Sequence, residues 1–147
     1  MKIGLDIGRV RVGVAVSDPS ARMALPSETL ERAGGKAEKR VLELIIEHGA
    51  DELVVGLPLG DTGQVTEQCE DIERFCHRIA RRSPVKIVMV DEYASSADAE
   101  ELTAAYGRRR EGKKGMIDAV AASIILQAYL DGNVKGLAFK GSVSPQV

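Results

Sequence analysis

The sequence is poor in aromatic residues, with two Phe, three Tyr and no Trp in 147 residues. Proteins that bind single-stranded nucleic acid without sequence preference commonly stack the bases on several aromatic rings. A surface of that kind is therefore not expected here. The chain also lacks any apolar run of about 18 residues, the length that a membrane-spanning helix needs. With so few large rings, we expect a core of Val, Ile, Leu and Ala.

No charge of one sign dominates the chain. Twenty Lys and Arg residues stand against twenty-two Asp and Glu residues, which gives a formal net charge of -2. This balance excludes a histone-like polybasic binder but allows a local patch that contacts nucleic acid. The length fits a single domain that can fold without disulfides or a structural metal.

Cysteine is scarce, and its spacing favours neither a disulfide nor a metal site. Cys69 and Cys76 are seven residues apart, which is about 10 Å along a helix and too far for a disulfide. Neither His48 nor His77 completes a metal-ligand spacing with them. We therefore expect two buried thiols in a reducing compartment. Because Asp6 interrupts the N-terminal stretch where a signal peptide would be apolar, a cytoplasmic location is expected.

Hydrophobic spacing predicts the secondary structure elements. Residues 2–8 and 12–17 alternate apolar side chains with small or polar ones, as the two strands of a hairpin do. Further strands are predicted over 24–32, 52–57 and 85–90. Helices are predicted where apolar residues recur every three or four positions, over 36–48, 65–79, 96–105 and 116–130.

The order of these elements predicts an α/β fold. Three antiparallel strands come first, and parallel strands alternating with helices follow, so a mixed sheet with helices on both faces is expected. We predict one domain over residues 1–132 and a poorly ordered C-terminal tail over residues 133–147.

Asp6 is the most informative polar residue. Its face of the first predicted strand otherwise carries only Gly4 and Gly8. Because glycine has no side chain, a ligand or a stretch of backbone can approach the sheet there. Asp is disfavoured within strands, which weighs against a purely solvent-facing role.

Other acidic residues follow or begin predicted elements. Asp91 and Glu92 come directly after the strand 85–90, at the strand end where open α/β sheets bind ligands. Asp118 lies near the start of an apolar helix, where the helix dipole alone explains a carboxylate. Each of these acidic residues fits an ordinary structural role when taken singly. Together with Asp6 they favour a site for Mg²⁺ or Mn²⁺, which bind oxygen ligands and promote phosphodiester hydrolysis.

A basic segment precedes the last predicted helix. It contains five cationic residues against Glu111 alone, namely Arg108, Arg109, Arg110, Lys113 and Lys114. Such runs are usually solvated surface. Because this one would flank the acidic residues, we favour contacts with nucleic-acid phosphates. Arg9 and Arg11, in the first hairpin, are further candidates for such contacts.

Four segments of the sequence resemble the YqgF/RuvX family of RNase H-like proteins, which comprises pre-16S rRNA nucleases and Holliday junction resolvase-like proteins. The first segment joins residues 4–8 (GLDIG) and 11–18 (RVGVAVSD). The others are residues 55–58 (VGLP), 90–92 (VDE) and 113–126, in the same order and spacing. The first segment alone also occurs in sugar kinases and Hsp70-type ATPases. The four in order cover the chain from Lys2 to about Leu130.

The resemblance implies an RNase H-like fold and a metal-dependent nuclease that processes the 5′ end of pre-16S rRNA. Asp6, Glu92 and Asp118 would be the catalytic, metal-binding residues, with Mg²⁺ or Mn²⁺ as cofactor. The sequence departs from the family pattern at Tyr93, where the family has Arg, and at residues 61–63 (DTG), where the family has Asp-Gly-Ser. The missing Arg puts one phosphate or carboxylate contact in question.

Other functions remain open from the sequence. A Holliday junction resolvase or DNA nuclease is the nearest alternative, and a homodimer rather than a monomer would favour it, since two symmetric cuts need two sites. A non-catalytic RNA-processing factor could keep the same fold. An actin-like ATPase is disfavoured, because such enzymes bind nucleotide between two domains of this type and the chain has room for one.

Overall fold

The computed structural model describes residues 1–58, 67–91 and 115–139. Within these ranges the strands are β1 (Lys2–Ile7), β2 (Arg11–Ser17), β3 (Ala24–Glu31), β4 (Glu52–Leu57), β5 (Lys86–Asp91) and β6 (Leu137–Ala138). The helices are a short 3-10 turn (Ala33–Gly35), α1 (Lys36–His48), α2 (Glu67–Ala80) and α3 (Gly115–Leu130). The predicted helix over 96–105 and the basic segment lie outside the described ranges.

The strands form one six-stranded sheet in the order β3-β2-β1-β4-β5-β6. β1, β2 and β3 are antiparallel neighbours, and β4 and β5 run parallel to β1. This arrangement confirms the predicted mixed sheet. The structure adds β6, which pairs antiparallel with β5 within the stretch that the sequence assigned to the tail.

Helices cover both faces of the sheet. α1 and α2 pack on one face, over a large core that includes Ile3, Leu5 and Phe75. α3 packs on the other face, over a smaller core that includes Val54, Val88 and Leu126. In the described ranges, no helix is long and apolar enough to cross a membrane.

Two glycines let α3 lie close to the sheet. A Cβ placed on Gly4 would lie 2.7 Å from Cβ of Leu126, and one placed on Gly13 would lie 1.9 Å from the carbonyl oxygen of Asp118. Neither distance is compatible with ordinary packing. The space above Gly4, which the sequence left open to a ligand or to backbone, is thus filled by α3.

Polar contacts hold α2, on the face of the sheet opposite α3, to the end of β3. Arg32 donates hydrogen bonds to both carboxylate oxygens of Asp71, at 2.5 and 3.1 Å, and to the carbonyl of Gly8 at 2.9 Å. Its guanidinium also lies 5.5 Å from the centre of the Phe75 ring, a distance that allows a cation–π contact. The Arg32 guanidinium lowers the pKa of Asp71. The partly buried pair of Arg32 and Asp71 thus links the β1–β2 turn, the end of β3 and α2.

Both cysteines are buried free thiols on α2, as predicted. The thiol of Cys69 donates to the carbonyl of Pro58 at 3.5 Å. Burial raises the pKa of Cys76 to about 12. The protonated thiol of Cys76 is therefore the stable form at physiological pH. Both cysteines are part of the buried core.

Candidate metal and nucleic-acid site

Asp6 lies near the carboxyl end of β1, on the face that carries α3. Its Cα partner across the antiparallel ladder is Gly13 of β2. Gly4, two residues earlier on the same face, contacts the middle of α3. Because side chains alternate along a strand, Asp6 faces the same layer as Gly4. The carboxylate is half-buried.

Asp118 lies in the first turn of α3. Its carbonyl group is packed directly against Gly13, so any side chain at position 13 would displace the start of the helix. Its carboxylate side chain is 27% exposed. Gly13 therefore has Asp6 beside it on the neighbouring strand and Asp118 above it. The structure brings these two sequence-predicted residues to one place.

Arg11 lies at the start of β2, two residues before Gly13 and on the same face. Its Nε donates a hydrogen bond to Oδ2 of Asp118 at 2.9 Å. The Arg11 side chain is 56% exposed, so solvent and ligands can reach its guanidinium. The sequence predicted Arg11 as a phosphate contact and gave no sign of this ion pair, because the two residues are 107 positions apart.

β5 lies beyond β4 on the side of β1 away from β2. Val88 and Val90 belong to the core beneath α3, and Asp91, the last residue of β5, is half-buried. Glu92 lies outside the described residues. Within residues 1–58, 67–91 and 115–139, no group of three or more His, Cys, Asp or Glu side chains could hold a metal ion.

The basic residues predicted to bind nucleic acid separate into different places. Arg9 is exposed in the β1–β2 turn and lines a cavity of about 1110 Å³ on the α1–α2 side of the sheet, with Arg74 and Arg78 among its neighbours. Arg11 lies on the α3 side, against Asp118. The structure thus separates Arg9 from Arg11, which the sequence had grouped together. Arg108, Arg109, Arg110, Lys113 and Lys114 lie outside the described ranges.

The role of Gly13 was also missed by the sequence analysis. The sequence contains a sign of this role, since Gly13 lies between Val12 and Val14 and so leaves the opposite face of β2 without a side chain at this position. That pattern predicts a close approach of backbone, but it does not say that the approaching backbone belongs to Asp118.

The donor chemistry of the described pair fits a hard divalent cation. Carboxylate oxygens are the ligands that Mg²⁺ and Mn²⁺ prefer, and Mg²⁺ commonly binds to one or two protein carboxylates while it keeps several waters. Asp6 and Asp118 meet this requirement, with Arg11 as a cationic neighbour. Carboxylate oxygens and a guanidinium thus lie at one place, and these are the groups that attract a cation and an anion respectively.

Comparisons with known proteins identify the family of the chain. A family model described as "RuvX: Holliday junction resolvase" matches residues 1–132. A "Putative pre-16S rRNA nuclease" of Clavibacter sepedonicus is 41% identical over 132 residues, covering 88% of this chain and 82% of the relative. One of the same name from Mycobacterium sp. (strain KMS) is 41% identical over 146 residues, covering 95% and 85%.

A solved structure shares the fold. RuvC of T. thermophilus, in complex with a Holliday junction substrate, superposes with a TM-score of 0.57 at 16% identity, covering 92% of this chain and 98% of RuvC. The likeness places the sheet and helices in the RNase H-like fold. By its family match and by its curated relatives, the chain belongs to the RuvX family.

Proposed function

We propose that this chain is a metal-dependent nuclease that hydrolyses phosphodiester bonds, with the 5′ end of pre-16S rRNA as its substrate. The observation that carries the proposal is the position of Asp6 and Asp118 on two sides of Gly13. Two carboxylates held by a strand and by a close-packed helix form a rigid base for a cation.

Glu92 is proposed as the third carboxylate. Support comes from Val90, two positions earlier, which faces α3 as Asp6 does. Residues two apart on a strand share a face, so a continuation of β5 would direct Glu92 towards the same layer. The carboxylates of β1, β5 and α3 would then surround one site.

The acidic and the basic residues have different proposed roles. Asp6, Glu92 and Asp118 would hold Mg²⁺ or Mn²⁺, which, when bound, supplies charge stabilisation for the phosphodiester and a means of activating water. Arg11, which already lies at the site, would bind a phosphate next to the cleaved bond. The segment with Arg108, Arg109, Arg110, Lys113 and Lys114, together with Arg9, would bind phosphates farther along the strand.

The choice of substrate is supported by the relatives that are named as pre-16S rRNA nucleases and that match most of the chain. A precursor rRNA substrate and two buried thiols both favour a cytoplasmic location. A second candidate is cleavage of a Holliday junction, which the family description and the fold shared with RuvC favour. Junction cleavage calls for a homodimer, whereas rRNA trimming is possible for a monomer.

A parallel cleavage assay tests the proposal. Purified protein is incubated with Mg²⁺ or Mn²⁺ and with three substrates, namely a precursor rRNA carrying the extended 5′ end of 16S rRNA, an unstructured RNA and a four-way DNA junction. We expect cleavage of the precursor, no cleavage in chelator, and none by Asp6→Asn, because an amide is a poorer ligand for a hard cation. Junction cleavage alone would favour the second candidate, and full activity of a folded Asp6→Asn variant would refute the proposed site.

A further inference from the structure

The ion pair between Arg11 and Asp118 places a positive charge where the proposed function requires a cation. Nε of Arg11 lies 2.9 Å from Oδ2 of Asp118, and both side chains are accessible to solvent. A guanidinium and a divalent cation repel each other, and the carboxylate of Asp118 attracts both. The two therefore compete for Asp118.

We propose that Arg11 is a positioning residue that exchanges partners, holding Asp118 in the metal-free protein and turning to a substrate phosphate when a divalent cation takes the carboxylate. This inference rests on the proposed function, since it assigns the cation and the nucleic acid to the same site. The exchange couples the two binding events, because nucleic acid that holds Arg11 away from Asp118 favours cation binding, and the reverse follows by linkage.

The chemistry of the side chain suits an exchange of this kind. Arginine presents a planar fork of donors that matches both carboxylate and phosphate oxygens. Within the described part of the chain, the bond to Asp118 uses Nε, which leaves Nη1 and Nη2 for a second acceptor. With the Arg11 side chain 56% exposed and that of Asp118 27% exposed, the pair can open at low cost, since ion pairs in contact with solvent contribute little free energy.

The position of Arg11 distinguishes it from the arginines of the neighbouring turns. Arg9 lies on the α1–α2 side of the sheet. Arg22 is exposed in the β2–β3 turn, where its backbone is held by Asp18 and Gln127. Since Arg22 is at the opposite end of β2 from Arg11, the substitution Arg22→Gln removes the same charge without touching Asp118. It is therefore the matched control.

Calorimetric titration with Mn²⁺ in the absence of nucleic acid tests the competition. We expect Arg11→Gln to bind Mn²⁺ more tightly than the parent, by roughly two- to fivefold, which corresponds to the loss of an exposed ion pair. Arg22→Gln should match the parent. Arg11→Lys keeps the charge, so its Mn²⁺ affinity should be close to that of the parent. This variant shows whether any substitution at position 11 changes Mn²⁺ affinity.

A second titration, with RNA in Ca²⁺ to prevent cleavage, tests the other half of the exchange. Arg11→Gln should bind RNA more weakly, with the slope of log affinity against log salt flatter by about 0.7–0.9. RNA should also tighten Ca²⁺ binding by the parent more than by Arg11→Gln. Tighter metal binding with weaker RNA binding is an outcome that a merely structural role for Arg11 does not produce.

The outcomes separate this inference from the proposed function. If the parent binds no Mn²⁺, or if Asp6→Asn binds it equally well, the proposed metal site is wrong. If Mn²⁺ binding needs Asp6 but Arg11→Gln binds Mn²⁺ no more tightly than the parent, the exchange is overturned and the metal site stands. An RNA salt slope unchanged in Arg11→Gln also overturns the exchange.

Discussion

Replacing Gly13 with Ala should move Asp118 away from Asp6 and thereby impair metal binding. The added Cβ would lie 1.9 Å from the carbonyl oxygen of Asp118 and 2.2 Å from its carbonyl carbon. Both are backbone atoms, so no rotamer change can relieve the clash. Ordinary contact begins near 3.4 Å, so the start of α3 must move outward by about 1.5 Å.

Both stability and function should respond to this displacement. Overpacking of a well-packed interior costs about 1–3 kcal/mol, which for a chain of this size lowers Tm by roughly 2–4 °C per kcal/mol. A misplacement of about 1 Å in a catalytic arrangement can reduce the rate by about a hundredfold. We therefore expect a folded protein of lower Tm with a large loss of Mn²⁺ affinity and of cleavage.

Gly4→Ala is the matched comparison, measured by thermal unfolding and by Mn²⁺ titration below Tm. Its Cβ would lie 2.7 Å from Cβ of Leu126 and 3.0 Å from the carbonyl oxygen of Ala122, farther along the same helix. It should destabilise the protein but affect Mn²⁺ affinity less than Gly13→Ala does. If Gly13→Ala keeps the Tm and Mn²⁺ affinity of the parent, the close contact between β2 and Asp118 does not position the site.

Replacing Arg108, Arg109 and Arg110 together with Ala should weaken nucleic-acid binding similarly for different sequences and flatten the salt slope by about one to two units, as titrations in Ca²⁺ at several salt concentrations would show. An unchanged slope would mean that the segment is only solvated surface. Asp71→Asn should lower the free energy of unfolding at pH 7 by about 1–3 kcal/mol, because it weakens a charge-assisted pair with Arg32. Since Arg32 lowers the pKa of Asp71 below its ordinary value of 3.8, this stabilisation is present above that pH and is lost as the pH falls through the folded-state pKa. The free energies of unfolding of parent and variant, measured in urea, should therefore converge as the pH is lowered, and a difference that does not shrink with falling pH would contradict the assignment. Because burial raises the pKa of Cys76 to about 12 and Cys69 is also buried, neither thiol of the native protein should react with a thiol reagent at pH 8, and rapid labelling before unfolding would show that α2 is loosely packed.

Local sequence patterns predict most of the described fold. The helical spacing of Val41, Leu44 and Ile45 predicted a helix over 36–48, and α1 has those bounds. The first hairpin and the strand 52–57 were also predicted, since apolar alternation and short apolar runs report burial directly. β6 was not predicted, because a strand of two exposed residues has no periodicity to detect.

The candidate site is harder to predict because it depends on contacts between distant segments. Asp6 and Asp118 were identified from their residue types and positions in the sequence, but the role of Gly13, which determines how closely the helix meets the strand, was not. Nor could it give the pairing of Arg11 with Asp118 across 107 residues. Local patterns report which face of an element is buried, whereas such pairings depend on how the helix is placed on the sheet.

Anomalous diffraction from crystals grown with Mn²⁺ tests the central claim most directly. The account predicts a Mn²⁺ peak at the carboxyl end of β1, with carboxylate oxygens of Asp6, Asp118 and Glu92 among its ligands. Asp6→Asn crystals should lack the peak. A peak elsewhere, or none at this place in a protein that cleaves RNA with Mn²⁺, would contradict the assignment of Asp6 and Asp118 as the metal-binding residues.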